Sequence, residues 1–500
     1  MTSDDKKARV AEIVRSDPHA PAWHFIAPEG TCVPFDPNGA LFWRGRYHLF
    51  YIFQDPTLPH GGHCWGHASS ADLVHWTYHP TALALEQGDP DVGIFSGNAF
   101  INKAGVPTIL YHGVNAGTCV ATAVDGGLIQ WRKSPRNPVI PEPRPGKPGW
   151  GVYNVFDPHG WVEDGVYHVI LGGKTKPDDV RDTAYLFRSN DLIHWDYVRP
   201  FYVPHPDWTG PEEDCACPDF FPLGHRHMLL CISHPRGARY YLGRYERGHF
   251  IPEEHHRMNW PGGSCFAPET LCDDRGRRIF WAWVPGQRRG QGWGVANEPG
   301  VMTMPRVLTL DERGQLLIDP PIELETLRRN PRRLESLTLE PDRPVRPSHI
   351  RGAELEIELT AQLPAGAELE LIVRASPDDA EQTRIVVAPA KATLAIDTSR
   401  ASLAPDIFRR YPVCADNQQD VPVQGAPFAL PPGEALHLRV FLDRSILEVY
   451  ANRRQCVTQR LYPTRPDSVE VALVSRHGPT VVSAFNAWDL AATNCKEHQL

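Results

Sequence analysis

Three short segments recur in order along the chain and restrict its fold more than any other feature. They are SADLVHW, ending at Trp76, VDGGLIQW, ending at Trp131, and SNDLIHW, ending at Trp195. Their aspartates, Asp72, Asp125 and Asp191, lie 53 and 66 residues apart. Each segment follows a strand-like run and opens another. An aspartate in a turn, taken alone, reflects only the ease with which its carboxylate bonds nearby backbone N–H groups. The recurrence of Asp, Leu and Trp in one order says more. It marks a repeated unit of about four strands, the blade of a β-propeller. One blade cannot bury both of its faces, so the units must stack around an axis.

The runs between these segments suit blades. RYHLFYIF (46–53), TILYHGV (108–114), VYHVILGG (166–173), HMLLCISH (227–234), RYYLGRYE (239–246) and RIFWAWV (278–284) are short and rich in aromatic and β-branched residues. Past residue 327 the texture changes. RRNPRRLESLTLEPDRPVRP is polar and proline-rich and reads as a linker. AELEIELTAQL (353–363), AELELIVRAS (367–376), ALHLRVFLDRSILEVYAN (435–452) and SVEVALVSR (468–476) then alternate with period two, the pattern of a half-buried antiparallel sheet and hence of a β-sandwich. With 500 residues the chain exceeds one ordinary core. The expected organisation is all-β: a helical extension over 1–21 capped by Ser3 or Asp4, a propeller over 22–327, a linker over 328–347 and a sandwich over 348–500.

Composition excludes several classes. The net charge is −9, and no basic block tracks a nucleic-acid backbone. No stretch approaches the roughly 20 apolar residues of a membrane span. The first residues, MTSDDKKARVAEIVRSD, lack the apolar core of a signal peptide. A soluble, cytoplasmic protein is expected, with the 11 cysteines mostly free thiols. Cys215 and Cys217 form a lone CxC without a second ligand pair, so they read as buried thiols rather than a metal site. No metal and no cofactor are expected. The sequence leaves oligomeric state open.

A propeller brings strand ends from every blade to one central cavity, so carboxylates far apart in sequence can converge. Four lie beside proline where a loop enters a strand: Asp36 in FDPNG, Asp157 in VFDPHG, Asp219 in CPDFF and Glu269 in FAPETL. Each alone is compatible with an Asx-type turn. Two carboxylates facing each other between aromatic walls are what glycoside hydrolysis needs, one to attack the anomeric carbon while a second group protonates the leaving oxygen.

These motifs carry a family resemblance. FDPNGALFWRGRYHLFYIFQ (35–54), CWGHASSADLVHW (64–76), FSGNA (95–99), FDP (156–158), CPDFFPL (217–223) and FAPETLCDDRGRRIFWAW (266–283) fall in the order seen in glycoside hydrolase family 32, the invertases and fructan hydrolases. LRVFLDRSILEVYANRRQCVTQRLYP (438–463) resembles that family's C-terminal signature. The resemblance implies a five-bladed propeller followed by a β-sandwich, and a retaining mechanism on a β-fructofuranoside or related furanoside in small oligosaccharides. It puts the nucleophile at Asp36 and a transition-state-stabilising aspartate at Asp157. It places Asn38, Gln54, Trp65, Phe95, Ser96 and Asp219 around the sugar.

The chain departs from the family at several of these positions. Ala216 stands where the family has its acid/base glutamate. Phe156 replaces the arginine of Arg-Asp-Pro, Phe35 an asparagine, and Ser264, Cys265, Phe266 and Ala267 an Asp-x-Tyr-Ala stretch. Three acids could replace the missing one: Asp214, two residues before Ala216, Glu213, and Glu269. Phe156 and Phe266 could form an apolar wall that raises the acid's pKa, and Glu269 is favoured because its longer side chain sits on a proline-fixed turn beside Phe266. A carbohydrate-binding protein that has lost its acid and a sugar transferase using the same covalent intermediate stay open. His67, His75 and His194 read as structural, Asp443 and Arg444 as a packing ion pair, and GQRRGQGWG (286–294) as a loop at the pocket rim.

Overall fold

The computed structural model describes all residues except 59, 61, 287–297, 405–420 and 496–500. Most of the expected rim loop over 286–294 therefore lies outside the described residues.

Five antiparallel sheets follow one another along the chain. Their innermost strands are Pro37–Trp43, Ile94–Ile101, Phe156–Glu163, Ala216–Leu223 and Phe266–Cys272. Each of these touches the next, and the fifth touches the first, so the sheets close into a propeller. The Asp-Leu-Trp repeat sits at the entry to the outer strands Trp76–Leu83, Trp131–Lys133 and Trp195–Pro200. Its physical basis is local. Asp72 Oδ1 accepts from the N–H groups of Val74 (3.0 Å) and His75 (2.8 Å), and Asp191 Oδ1 accepts from Ile193 (2.9 Å) and His194 (2.8 Å). The leucine next in the motif turns left-handed, with φ of 66° at Leu73, 59° at Leu128 and 67° at Leu192. His75 and His194 bond their own turn aspartates at 2.8 Å, as a structural role requires.

The sandwich packs a seven-stranded sheet on a five-stranded one over a core of Leu, Ile and Val. The expected linker belongs to it. Arg328–Leu334 and Leu337–Leu339 both pair with the last strand, Thr480–Leu490. The arginines that make this segment look like a linker are what fit it to a sheet edge. Arg328 lies 4.0 Å over the Trp488 ring and bonds Glu356 at 2.7 Å, and Arg332 pairs with Asp489.

The N-terminal helix, Ser3–Ser16, is capped by Thr2, one residue before the expected cap, in a capping box with Asp5. It is docked rather than free: Lys6 is buried and pairs with Glu29 at 2.7 Å. The next segment locks propeller to sandwich. Asp443 accepts the N–H groups of Ala22 (2.6 Å), Trp23 (3.0 Å) and His24 (2.9 Å). His24 is clamped between Asp443 at Nδ1 (2.8 Å) and Glu448 at Nε2 (3.2 Å), and Arg306 of the propeller meets Glu448 at 2.7 Å. Asp443 and Arg444 therefore do not pair with each other. Asp443 ends a strand while Arg444 lies in the turn after it, with φ of 55°, and turns to Glu354 at 2.8 Å.

Candidate active site

The five innermost strands open on one recurring tetrapeptide: FDPN (35–38), FSGN (95–98), FDPH (156–159), ACPD (216–219) and FAPE (266–269). Every one of these strands shifts register near its start, between Asn38 and Leu41, Ile94 and Gly97, Phe156 and His159, Ala216 and Asp219, and Phe266 and Glu269. In three of them the second residue is left-handed, with φ of 40° at Asp157, 45° at Cys217 and 44° at Ala267. A bulge re-aims side chains, and a non-glycine residue held this way costs about 1–3 kcal/mol. Here it turns the second residues of four strands, Asp36, Ser96, Asp157 and Cys217, into one cavity of about 610 Å³.

The two aspartates meet around a thiol. Ser96 Oγ donates to Asp36 Oδ2 at 2.6 Å. The backbone N–H of Cys217 donates to Asp157 Oδ2 at 2.9 Å. Cys217 Sγ lies 3.7 Å from Asp36 Oδ2 and 3.6 Å from Asp157 Oδ2. Burial, together with the Asp157 charge and against the hydrogen bond from Ser96, pushes the Asp36 carboxyl up to about 6. Burial and the two aspartates push the Cys217 thiol well up, so it stays un-ionised. Phe95, Phe156, Phe266 and Trp283 form apolar walls, and Gln54, His63, His112 and His234 supply polar groups.

Several expected site residues fall elsewhere. Two positions further along each inner strand, the side chains join neighbouring blades. Asn38 Oδ1 accepts Gly97 N–H at 3.1 Å, and Asn98 exchanges bonds with Gly160 at 2.8 and 3.1 Å. His159 lies 3.5 Å from Asp219, which accepts from Thr270 Oγ1 at 2.5 Å. Glu269 Oε1 accepts Ala40 N–H at 3.1 Å, joining the fifth blade to the first. Glu269 and Asp219 thus line a separate cavity of about 510 Å³ that shares no residue with the first. Glu269 has the raised pKa expected of it, from burial and then from Asp219, but in the wrong place. Phe35 is fully buried, packed on Gly300 and 5.3 Å from the Tyr51 ring. Trp65 is also fully buried and reaches the cavity only through its Nε1 bond to Phe95 O at 3.0 Å.

Of the remaining acids, Glu213 is buried against Arg239 (2.7 Å) and Arg257 (3.3 Å). Asp214 is bound to His234, accepting its backbone N–H at 2.9 Å and its ring Nδ1 at 2.6 Å. His234 was missed in the sequence, although HMLLCISH ends on it. Its signal is the register: Ala216 pairs with Ile232, so continuing two residues each way sets Asp214 against His234. Among the described residues, no group of three or more His, Cys, Asp or Glu side chains is placed to hold a metal ion.

Paired aspartates in a cavity walled by aromatic rings, on a five-bladed propeller, are the arrangement that glycoside hydrolysis needs. Residues 24–321 match the glycosyl hydrolases family 32 N-terminal domain and residues 323–489 the family 32 C-terminal domain, and the chain belongs to that family. It is 28% identical over 509 residues to a sucrose-6-phosphate hydrolase of Escherichia coli, covering 95% of this chain and 96% of that protein. It is 28% identical to a fructan 6-exohydrolase of Beta vulgaris, covering 95% of this chain and 87% of that protein. Its structure matches that of fructan 1-exohydrolase IIa from Cichorium intybus with a TM-score of 0.81 at 25% identity, over 96% of this chain and 98% of the other.

Proposed function

We propose that this family 32 glycosidase cleaves a β-fructofuranosyl bond, or that of a related furanoside, in small oligosaccharides, with retention. The single observation that carries the reading is the convergence of Asp36 and Asp157 on Cys217 in one aromatic-walled cavity. Asp36 attacks the anomeric carbon, and the bond to the leaving oxygen breaks as the covalent fructosyl-enzyme forms. Asp157, held by the Cys217 N–H, faces the positive charge that develops on the ring. Water then releases the sugar and restores Asp36. The free thiols at all ten described cysteines support action in a reducing compartment such as the cytoplasm.

Hydrolysis of 4-nitrophenyl β-D-fructofuranoside tests the reading. Asp36→Ala is expected to lose at least about 10³-fold in kcat. With methanol added, retention gives methyl β-fructofuranoside. Full activity in Asp36→Ala, or the α-anomer as product, would overturn the assignment.

A further inference from the structure

The place of the missing glutamate is not filled. Ala216 ends in a methyl group, and beside it lies a cavity of about 300 Å³ lined also by Phe156, Asp157, Asp214 and His234. Phe156, Asp157 and His234 line the main cavity as well, so the two spaces adjoin across these residues. A glutamate at 216 would reach toward this space, and the His234 side chain lines it.

We propose that His234, oriented by Asp214, donates the proton to the leaving oxygen in place of the absent glutamate. This rests on the fructosidase reading of Asp36 above. The antiparallel register that pairs Ala216 with Ile232 brings His234 up beside Ala216 from the neighbouring strand. Asp214 holds His234 at two points, its backbone N–H at 2.9 Å and, fixing the ring, Nδ1 at 2.6 Å. A carboxylate partner makes Nδ1 the donor, which leaves Nε2 to exchange a proton with substrate. Nε2 bonds no described residue, and the His234 side chain is 54% exposed, open to the cavity. A histidine held by an aspartate is the arrangement that delivers protons in many hydrolytic sites.

The surrounding charges favour the imidazolium. Desolvation by the surrounding cavity walls acts to lower its pKa, but the hydrogen bond and charge of Asp214, then the charges of Asp157 and Asp36, outweigh it and lift His234 to about 9. On the far wall Lys176 is neutralised by Asp179 at 2.8 Å, and Lys174 donates to Pro211 O at 3.3 Å. His112 faces the same space and is driven toward neutrality by burial, and Cys217 stays un-ionised. Among the described residues, neither of the other candidate acids competes. Glu269 lies in the other cavity, and Glu213 is tied to two arginines.

The proton balance closes. As Asp36 bonds the anomeric carbon, the leaving oxygen takes the Nε2 proton and departs as an alcohol, leaving neutral imidazole. Esterified Asp36 no longer carries the charge that helped hold that proton, so its release becomes easier. Neutral Nε2 then takes a proton from the incoming water as its oxygen attacks, and Asp36 leaves as carboxylate.

A leaving-group comparison separates this role from the nucleophile's. His234→Ala is expected to lose about 10²–10⁴-fold in kcat/KM on methyl β-D-fructofuranoside, which needs a proton donor. It should lose less than about tenfold on the 4-nitrophenyl fructoside, whose leaving group does not. Equal losses on both overturn the proposal. Because His234→Ala can disturb the strand, Asp214→Asn is the second variant. It should move the basic limb of the wild-type profile from about 9 toward the ordinary histidine value near 6.5. An unmoved limb also overturns the proposal. Retained nitrophenyl cleavage in Asp36→Ala would instead sink the fructosidase reading, a different result from either.

Discussion

Ser96 Oγ donates to Asp36 Oδ2 at 2.6 Å, the shortest tie on the carboxylate assigned to attack the sugar. The bond opposes the burial that pushes this group up to about 6. Removing it in Ser96→Ala leaves burial less opposed, so the pKa rises further. The acid limb of the kcat/KM profile should move up by about one unit, since a hydrogen bond to a charged group is worth roughly 1.5–3 kcal/mol. Activity then falls more at pH 6 than at pH 8. A pH–rate profile that keeps its acid limb in place would contradict this role for Ser96.

Cys217 stands between two carboxylates, and Cys272 is exposed on the surface. Alkylation needs the thiolate, and the charges of Asp36 and Asp157 oppose forming one at Cys217. Iodoacetamide at neutral pH should label Cys272 and leave Cys217 unmodified, as peptide mass spectrometry will read. Rapid labelling of Cys217 would mean that its surroundings are less negative than the geometry implies.

Glu269 is a blade staple, with its carboxyl pushed toward the protonated form by burial and by Asp219. Glutamine offers the same acceptor to Ala40 N–H. Glu269→Gln should keep kcat/KM on fructosides within about threefold. Glu269→Ala orphans a buried N–H and should cost about 1–3 kcal/mol of stability by denaturant titration. A loss of activity in the glutamine variant comparable to that of Asp36→Ala would return Glu269 to the chemistry.

His24 carries the joint between the domains, fully buried between Asp443 and Glu448. Burial lowers its pKa, but the bonds and charges of the two acids outweigh it, and the net shift is upward. A raised histidine contributes stability that is fully present below its unfolded pKa and is lost as pH climbs through its folded pKa. His24→Gln should therefore destabilise by roughly 3–5 kcal/mol at pH 6. The gap to wild type should narrow as the pH rises through the folded pKa. Melting temperatures of both proteins across that range decide it, and a constant gap would exclude the charged pair.

The parts of this design that rest on local chemistry were legible in the sequence. The Asp-Leu-Trp turn announces itself because its bonds close within a few residues. Asp36 and Asp157 were legible because each opens an inner strand beside a proline. Glu269 misled because the motif does not say which way a side chain points. The bulge gives the cavity to the second residue of four of the tetrapeptides and the blade contact to the fourth residue of all five. Reading all five tetrapeptides together would have exposed that alternation. His234 was hidden for another reason: it reaches the site from a second strand, through a register that only the folded sheet defines. The segment after residue 327 was misread because arginines on a sheet edge look like a solvated linker until Trp488, Glu356 and Asp489 are seen beneath them.

The bond from Ala40 N–H to Glu269 joins residues 229 positions apart, and the bonds from Ala22 and His24 to Asp443 join residues about 420 apart. Each blade is otherwise built from one contiguous stretch of chain. During synthesis, then, the first blade can form early but must wait with an unsatisfied flank until the fifth emerges from the ribosome. The segment that enters the propeller waits longer still, until Asp443 has been made. Until the fifth blade is made the nascent propeller is an open arc, and the cavity around Asp36 comes into being only when that arc shuts.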